Sequence, residues 1–91
     1  MIRSFRDKET EKLFQRVRSR KFQAIQKPAR VKLALLNSAI TLEDLGLPGL
    51  RLEKLHGNRK GQYSIRINEQ YRICFDWGRD GPENVEIADY H

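Results

Sequence analysis

A chain of 91 residues with 38% hydrophobic and 33% charged content describes one small domain, residues 1–91, with no room for a second catalytic unit. No apolar run approaches the roughly 18 residues that a membrane span needs, and the first residues lack the apolar stretch of a signal peptide, so a cytoplasmic protein with no membrane partner is expected. The single cysteine, Cys74, cannot form an internal disulfide, and no His and Cys spacing suits zinc, so neither a metal nor another cofactor is expected. The net charge of +6 points instead to a polyanion or an acidic protein as partner.

That charge is uneven. Residues 1–32 hold eleven Lys and Arg against three acids, 33–61 four against three, and 62–91 three against six. The basic first third is either a solvated helix face or a nucleic-acid surface. Alternation predicts a short strand over 2–5. Asp7 then caps a helix over 7–18, with Leu13, Phe14 and Val17 inward. Pro28 suits the first turn of a second helix over 28–39, whose buried stripe is Ala29, Leu33, Leu36 and Ile40. Thr41-Leu-Glu-Asp44 resembles a capping box with Asp in place of Glu, and Gly46, Pro48 and Gly49 break regular structure beyond it.

From Arg51 the period becomes alternating. Gly57 and Gly61 bracket a basic turn, and strands are predicted over 62–67, 71–77 and 84–90, joined by residues 68–70 and by a turn at 78–82. Tyr63, Ile65, Ile67, Tyr71, Ile73, Phe75, Trp77, Val85 and Ile87 face the core. Arg66, Arg72, Cys74, Asp76, Glu86 and Tyr90 take the other face. Two helices followed by a strand meander read as α+β.

The polar face gathers Arg66, Arg72 and Tyr90. Arg72 suits a phosphate held in a rigid, partly dry setting, or else a cross-strand salt bridge to Glu86. His56, before the basic turn, and His91, the last residue, are either proton carriers or merely exposed. The sequence has no phosphate-binding loop, no nucleophile elbow and no two-metal carboxylate cluster. Acid-base and electrostatic chemistry on a phosphate is what the residues permit, and RNA suits it by supplying its own 2′-hydroxyl nucleophile.

The ordered segments Met1-Ile-Arg-Ser-Phe5, Leu42-Glu-Asp-Leu45, Arg51-Leu-Glu-Lys-Leu-His-Gly-Asn-Arg-Lys-Gly-Gln-Tyr-Ser-Ile65, Asn68-Glu-Gln-Tyr-Arg-Ile-Cys-Phe75 and Val85-Glu-Ile-Ala-Asp-Tyr-His91 span nearly the whole chain. Together they resemble the HigB branch of the RelE-like toxins of bacterial toxin-antitoxin pairs. The resemblance implies a compact RelE-like α+β domain with two N-terminal helices on a mainly antiparallel sheet of four to five strands. It also implies an mRNA interferase that cuts messenger RNA in the ribosomal A site. The implied partners are the ribosome and mRNA, a HigA-like helix-turn-helix antitoxin, and operator DNA reached only through the antitoxin complex.

By this resemblance Arg72 matches the arginine that contacts the scissile phosphate, and Tyr90 and His91 match the C-terminal functional pair. His56 stands where the family often has Lys, and Asn68 where some members have Arg. Arg66, two residues before Asn68, is expected to substitute for that arginine. Attenuated activity is therefore expected, and a co-repressor that binds nucleic acid without cutting it is the rival reading. Arg59 and Lys60 in the turn, with Arg16, Arg18, Arg20 and Lys21 in the first third, are the expected RNA contacts.

Overall fold

The computed structural model describes residues 1–89; Tyr90, at the expected end of the last strand, and His91 lie outside them. The first helix, α1 (Lys8–Phe14), starts where Asp7 accepts the Thr10 backbone N–H at 3.0 Å. It stops at Phe14, short of the expected residue 18. Arg16 adopts φ 62°, and the N–H groups of Arg16 and Val17 turn back to the carbonyls of Leu13 and Lys12. This is a Schellman closure with arginine where glycine is usual, which is why no residue type announced it. The reversal leaves Leu13 fully buried but turns Val17, expected inward, to solvent with 48% exposure.

Ser19 then fastens the connection to the next helix, its buried hydroxyl donating to Glu9 at 2.8 Å. That bond, followed by one from Lys12, holds the Glu9 carboxyl below its usual range. The second helix, α2 (Gln26–Ser38), buries Ala29, Leu33 and Leu36 at the expected spacing. Ala39 leaves the helix in an extended conformation, so Ile40 falls off the stripe and is 86% exposed instead of buried. The anticipated box is present: Thr41 and Asp44 close the short turn Leu42–Leu45. Backbone N–H bonds from Thr41 and Ile40 hold the Asp44 carboxyl below its usual range.

Four antiparallel strands follow in sequence order: β1 (Glu53–Lys54), β2 (Gln62–Arg66), β3 (Tyr71–Gly78) and β4 (Gly81–Asp89). β2 ends one residue before the expected Ile67. The turn expected over 78–82 shrinks to Arg79 and Asp80, because Gly78 and Gly81 pair across it. Gly81 adopts φ 134° with the Met1 carbonyl packed where a Cβ would stand, a position open only to glycine. A bulge interrupts the β3–β4 ladder at Asn84, which has φ 53°. The segment expected as a strand over 2–5 docks on this bulge, the Ser4 hydroxyl and carbonyl taking the N–H groups of Asn84 and Val85. An irregular edge cannot template a regular partner, and only a single parallel bridge forms, Phe5 with Val85.

The sheet's inner face, with Ile65, Ile73, Phe75, Val85 and Ile87, packs on Leu13, Leu33 and Leu36 of the helices, giving the expected α+β architecture. A polar bond crosses this interface, where Thr10 of α1 accepts the Ile87 N–H through Oγ1 at 3.0 Å. Thr10 is fully buried, so Thr10→Val preserves shape and strands a donor. The expected loss is about 1–3 kcal/mol, read as a lower urea midpoint at unchanged slope, with Thr10→Ser keeping most of the stability.

Candidate functional site

The β2–β3 register sets Arg66 directly opposite Arg72 on the sheet face turned away from the helices. Arg72 Nε donates to Ser64 Oγ at 2.7 Å, and a terminal nitrogen donates to the Arg51 carbonyl at 2.6 Å and lies 3.7 Å from Glu53. The alternative pairing with Glu86 does not form. In the β3–β4 register Ala88 stands opposite Arg72, while Glu86 stands opposite Cys74. Glu86 pairs instead with Arg59 at 2.6 Å and with Arg6 at 3.7 Å.

Arg66 Nε donates to the Asn68 carbonyl at 3.1 Å, which draws its side chain back over the hairpin. Asn68 closes that hairpin itself, its Oδ1 accepting the N–H groups of Gln70 and Tyr71 at 2.9 and 2.8 Å. The departure at Asn68 therefore has a local structural role that an arginine could not fill. Arg66, Arg72, Asn68 and Glu69 line one cleft of about 230 Å³ together with Arg51. Arg51 was not among the residues singled out in the sequence. It sits just past the short turn Pro48–Leu50 with φ 46°, and a charged residue after a Pro-Gly break was the only available signal.

The other half of this face is closed. Arg59 contacts Gln62 Oε1 of β2 at 3.1 Å as well as Glu86 of β4, so its guanidinium crosses over β3. Beneath it Ser64 and Cys74 are fully buried, and Leu55 nearly so. Burial pushes the Cys74 thiol up; the nearby Arg59 charge opposes this, Glu86 adds to it, and Arg72 opposes it. Lys60 and His56 are exposed at either end of the Gly57–Arg59 turn. Arg59, expected as an RNA contact, is thus tied into the sheet.

Of the first-third residues, Arg16, Arg18, Arg20 and Lys21 are all exposed in the α1–α2 connection. Lys21 Nζ lies 5.3 Å from the Phe22 ring, and Phe22 packs edge-on against Tyr71, the neighbour of Arg72, at 6.0 Å. The end of the connection therefore abuts the same end of the sheet as the arginine cleft. Arg16 points elsewhere, toward a groove along α2 shared with Lys27, Arg30, Val31 and Leu35. Tyr90 and His91 lie outside the described residues. Among the described residues no helix is long and apolar enough to cross a membrane.

The HigB-like toxin family model, described as the RelE-like toxin of the type II toxin-antitoxin system HigB, matches residues 3–91. Toxin HigB-1 of Vibrio cholerae is 38% identical over 80 residues, covering 85% of this chain and 84% of that protein. The YoeB-YefM complex from Staphylococcus aureus contains a chain of the same fold, with a TM-score of 0.65 at 24% identity, covering 100% of this chain and 95% of that one.

Because the Arg59 bridge roofs Cys74, an aromatic disulfide reagent should label this thiol much more slowly than a free one at pH 8. Arg59→Ala should speed labelling by at least about tenfold, while Arg18→Ala should leave it unchanged. Equal rates for all three proteins would show that the bridge does not cover the strand.

Proposed function

Because the chain belongs to the HigB-like family of RelE-like toxins of type II toxin-antitoxin systems, we propose that it is an endoribonuclease that cuts messenger RNA in the ribosomal A site. Its partner is a HigA-like helix-turn-helix antitoxin, the complex binds operator DNA, and toxin and target meet in the cytoplasm. The observation that carries the reading is the pairing of Arg66 with Arg72 on the wall of one cleft. Like charges directly opposite on neighbouring strands destabilise a sheet, and an anion between them turns that repulsion into attraction.

In the proposed reaction the RNA 2′-oxygen attacks the adjacent phosphorus in line, and its proton passes to a base. The bond from phosphorus to the 5′-oxygen breaks, leaving a 2′,3′-cyclic phosphate, and the departing oxygen takes a proton to become a 5′-hydroxyl. Arg72 and Arg66 stabilise the charge that builds on the phosphate oxygens. His91, His56 and Tyr90 are the groups chemically able to move the protons. No metal is needed, since the substrate carries the nucleophile and the arginines carry the positive charge.

Arg72 suits its role because the Ser64 hydroxyl and the Arg51 carbonyl accept from its guanidinium and orient it, while the Glu53 carboxylate 3.7 Å away is itself exposed. Lys60, Arg18, Arg20 and Lys21 add exposed positive charge for ribosomal RNA, as Arg16 does further from the cleft and Arg59 through what remains accessible of its paired guanidinium. His56 stands where the family often has Lys, whose ammonium is a compact point charge on a longer, more flexible stem.

Primer extension on a defined messenger in programmed ribosomes tests the reading. Wild-type protein should create new 5′ ends that persist in EDTA and require ribosomes, and Arg72→Ala, checked by circular dichroism to be folded, should lower the rate by about a hundredfold or more, with Arg72→Lys, which keeps a cation, losing less. No cleavage by folded wild-type protein would sink the enzyme reading in favour of the co-repressor. His56→Lys alone should raise growth inhibition. Adding Asn68→Arg should lower the urea midpoint, since the Asn68 carboxamide bonds are lost.

A further inference from the structure

We propose that Arg51 is a second phosphate-binding residue of the cleft, holding the phosphodiester next to the one that is cut; this rests on the reading of the cleft as an RNA site. Its backbone and its side chain do different things. The carbonyl accepts a terminal nitrogen of Arg72 at 2.6 Å and so helps to aim that guanidinium. The side chain is exposed, lines the same cleft as Arg66 and Arg72, and makes no hydrogen bond or ion pair among the described residues. Among the described residues three guanidiniums thus border the cleft, with the Glu69 carboxylate on its lining and that of Glu53 beside Arg72.

The backbone at Arg51 adopts the left-handed conformation, φ 46° and ψ 55°, which an L side chain enters only at a cost and which glycine enters freely. As the residue that closes the turn Pro48–Leu50, Arg51 takes the left-handed cap position where glycine is usual, so the position itself does not require an arginine side chain. The side chain is exposed along the cleft and makes no polar contact among the described residues. What the long side chain brings to the cleft is a planar cation, suited to the paired oxygens of a phosphate. Polynucleotides carry phosphates in series, and Arg66 and Arg72 already face one another across the strand pair. A third guanidinium at the cleft border is placed for the neighbouring phosphate of the same strand and should act on binding more than on the chemical step.

Arg51→Gly tests this cleanly, because it removes the guanidinium, keeps the carbonyl that Arg72 uses and relieves the strained conformation. Its urea midpoint should stay close to that of wild type, so a loss of function cannot be ascribed to unfolding. Binding of a 2′-O-methyl RNA hexanucleotide, followed by amide chemical shifts, should weaken about tenfold, and the dependence of log affinity on log salt should flatten by about 0.7. Arg51→Lys should recover part of the affinity. On programmed ribosomes the variant should raise the half-saturating toxin concentration while leaving the saturated rate within about twofold of wild type.

Unchanged RNA affinity in Arg51→Gly overturns the proposal, as does wild-type protein that binds no RNA. A variant that loses only affinity for an acidic protein partner overturns it too. Arg51-dependent RNA binding by a wild-type protein that cuts nothing would leave this inference standing while removing the enzyme reading; cleavage indifferent to Arg51 would do the reverse.

Discussion

Arg72 sits with only 11% of its side chain exposed, and a guanidinium so enclosed is tolerated only when its N–H groups find acceptors. Two of those acceptors come from different parts of the chain, Ser64 on β2 and the carbonyl of Arg51 in the loop that crosses from α2 to the sheet. One side chain therefore fixes where the crossing loop lands. The loop then carries Glu53 and Lys54 into register with β2, and from there the Gly57–Arg59 turn over the sheet. Much of the polar face is arranged around that anchorage.

Arg59 shows the contrasting use of the same residue type. Its charge is met by Glu86, which is 16% exposed at the side chain, and the pair spans three strands to seal a second, smaller buried layer of Ser64, Cys74 and Leu55. The partly enclosed bridge makes the turn an element of the fold. Arg66 and Arg72, by contrast, stand opposite one another with like charge, an arrangement that costs stability. The cost is tolerated because the next pair along the ladder, Ile65 with Ile73, is fully buried on the other face of the sheet. A binding site built on such strands holds its groups more tightly than one carried by loops alone.

The period-2 pattern made the sheet legible: Tyr63, Ile65, Tyr71, Ile73, Phe75, Val85 and Ile87 sort to the core, and the alternation alone brings Arg66 and Arg72 to one face. The stripe of α2 was equally clear. What the pattern could not reveal were interactions between residues far apart in sequence or backbone states that defy residue type. Arg16 and Arg51 are left-handed without being glycine, so the early end of α1 and the placement of Arg51 in the cleft left no mark. The bulge at Asn84 sets which β4 side chain stands opposite Arg72, so choosing Glu86 as its partner required a register that alternation alone cannot supply. The roles assigned to Tyr90 and His91 rest on their chemistry and on the family resemblance, because both lie beyond the described residues.

The net charge of +6 is a coarse guide to which cations act on an RNA in the cleft. At physiological salt, exposed charges are screened over about 8 Å, whereas the domain measures 30 × 28 × 25 Å. The cations along α2, Lys27 and Arg30, belong to the helix layer on the far side of the sheet, with the core between them and the arginine face. Their field at the cleft is therefore weak. Lys21 is different: it lies over Phe22, whose ring meets Tyr71, the strand neighbour of Arg72, on the core side of the sheet. The basic first third thus divides physically into Lys21, tied through Phe22 to the neighbour of Arg72, and Arg16, Lys27 and Arg30, which share the groove along α2. Its high charge draws polyanions in general, but the chain's own packing decides which of its members share a single bound strand.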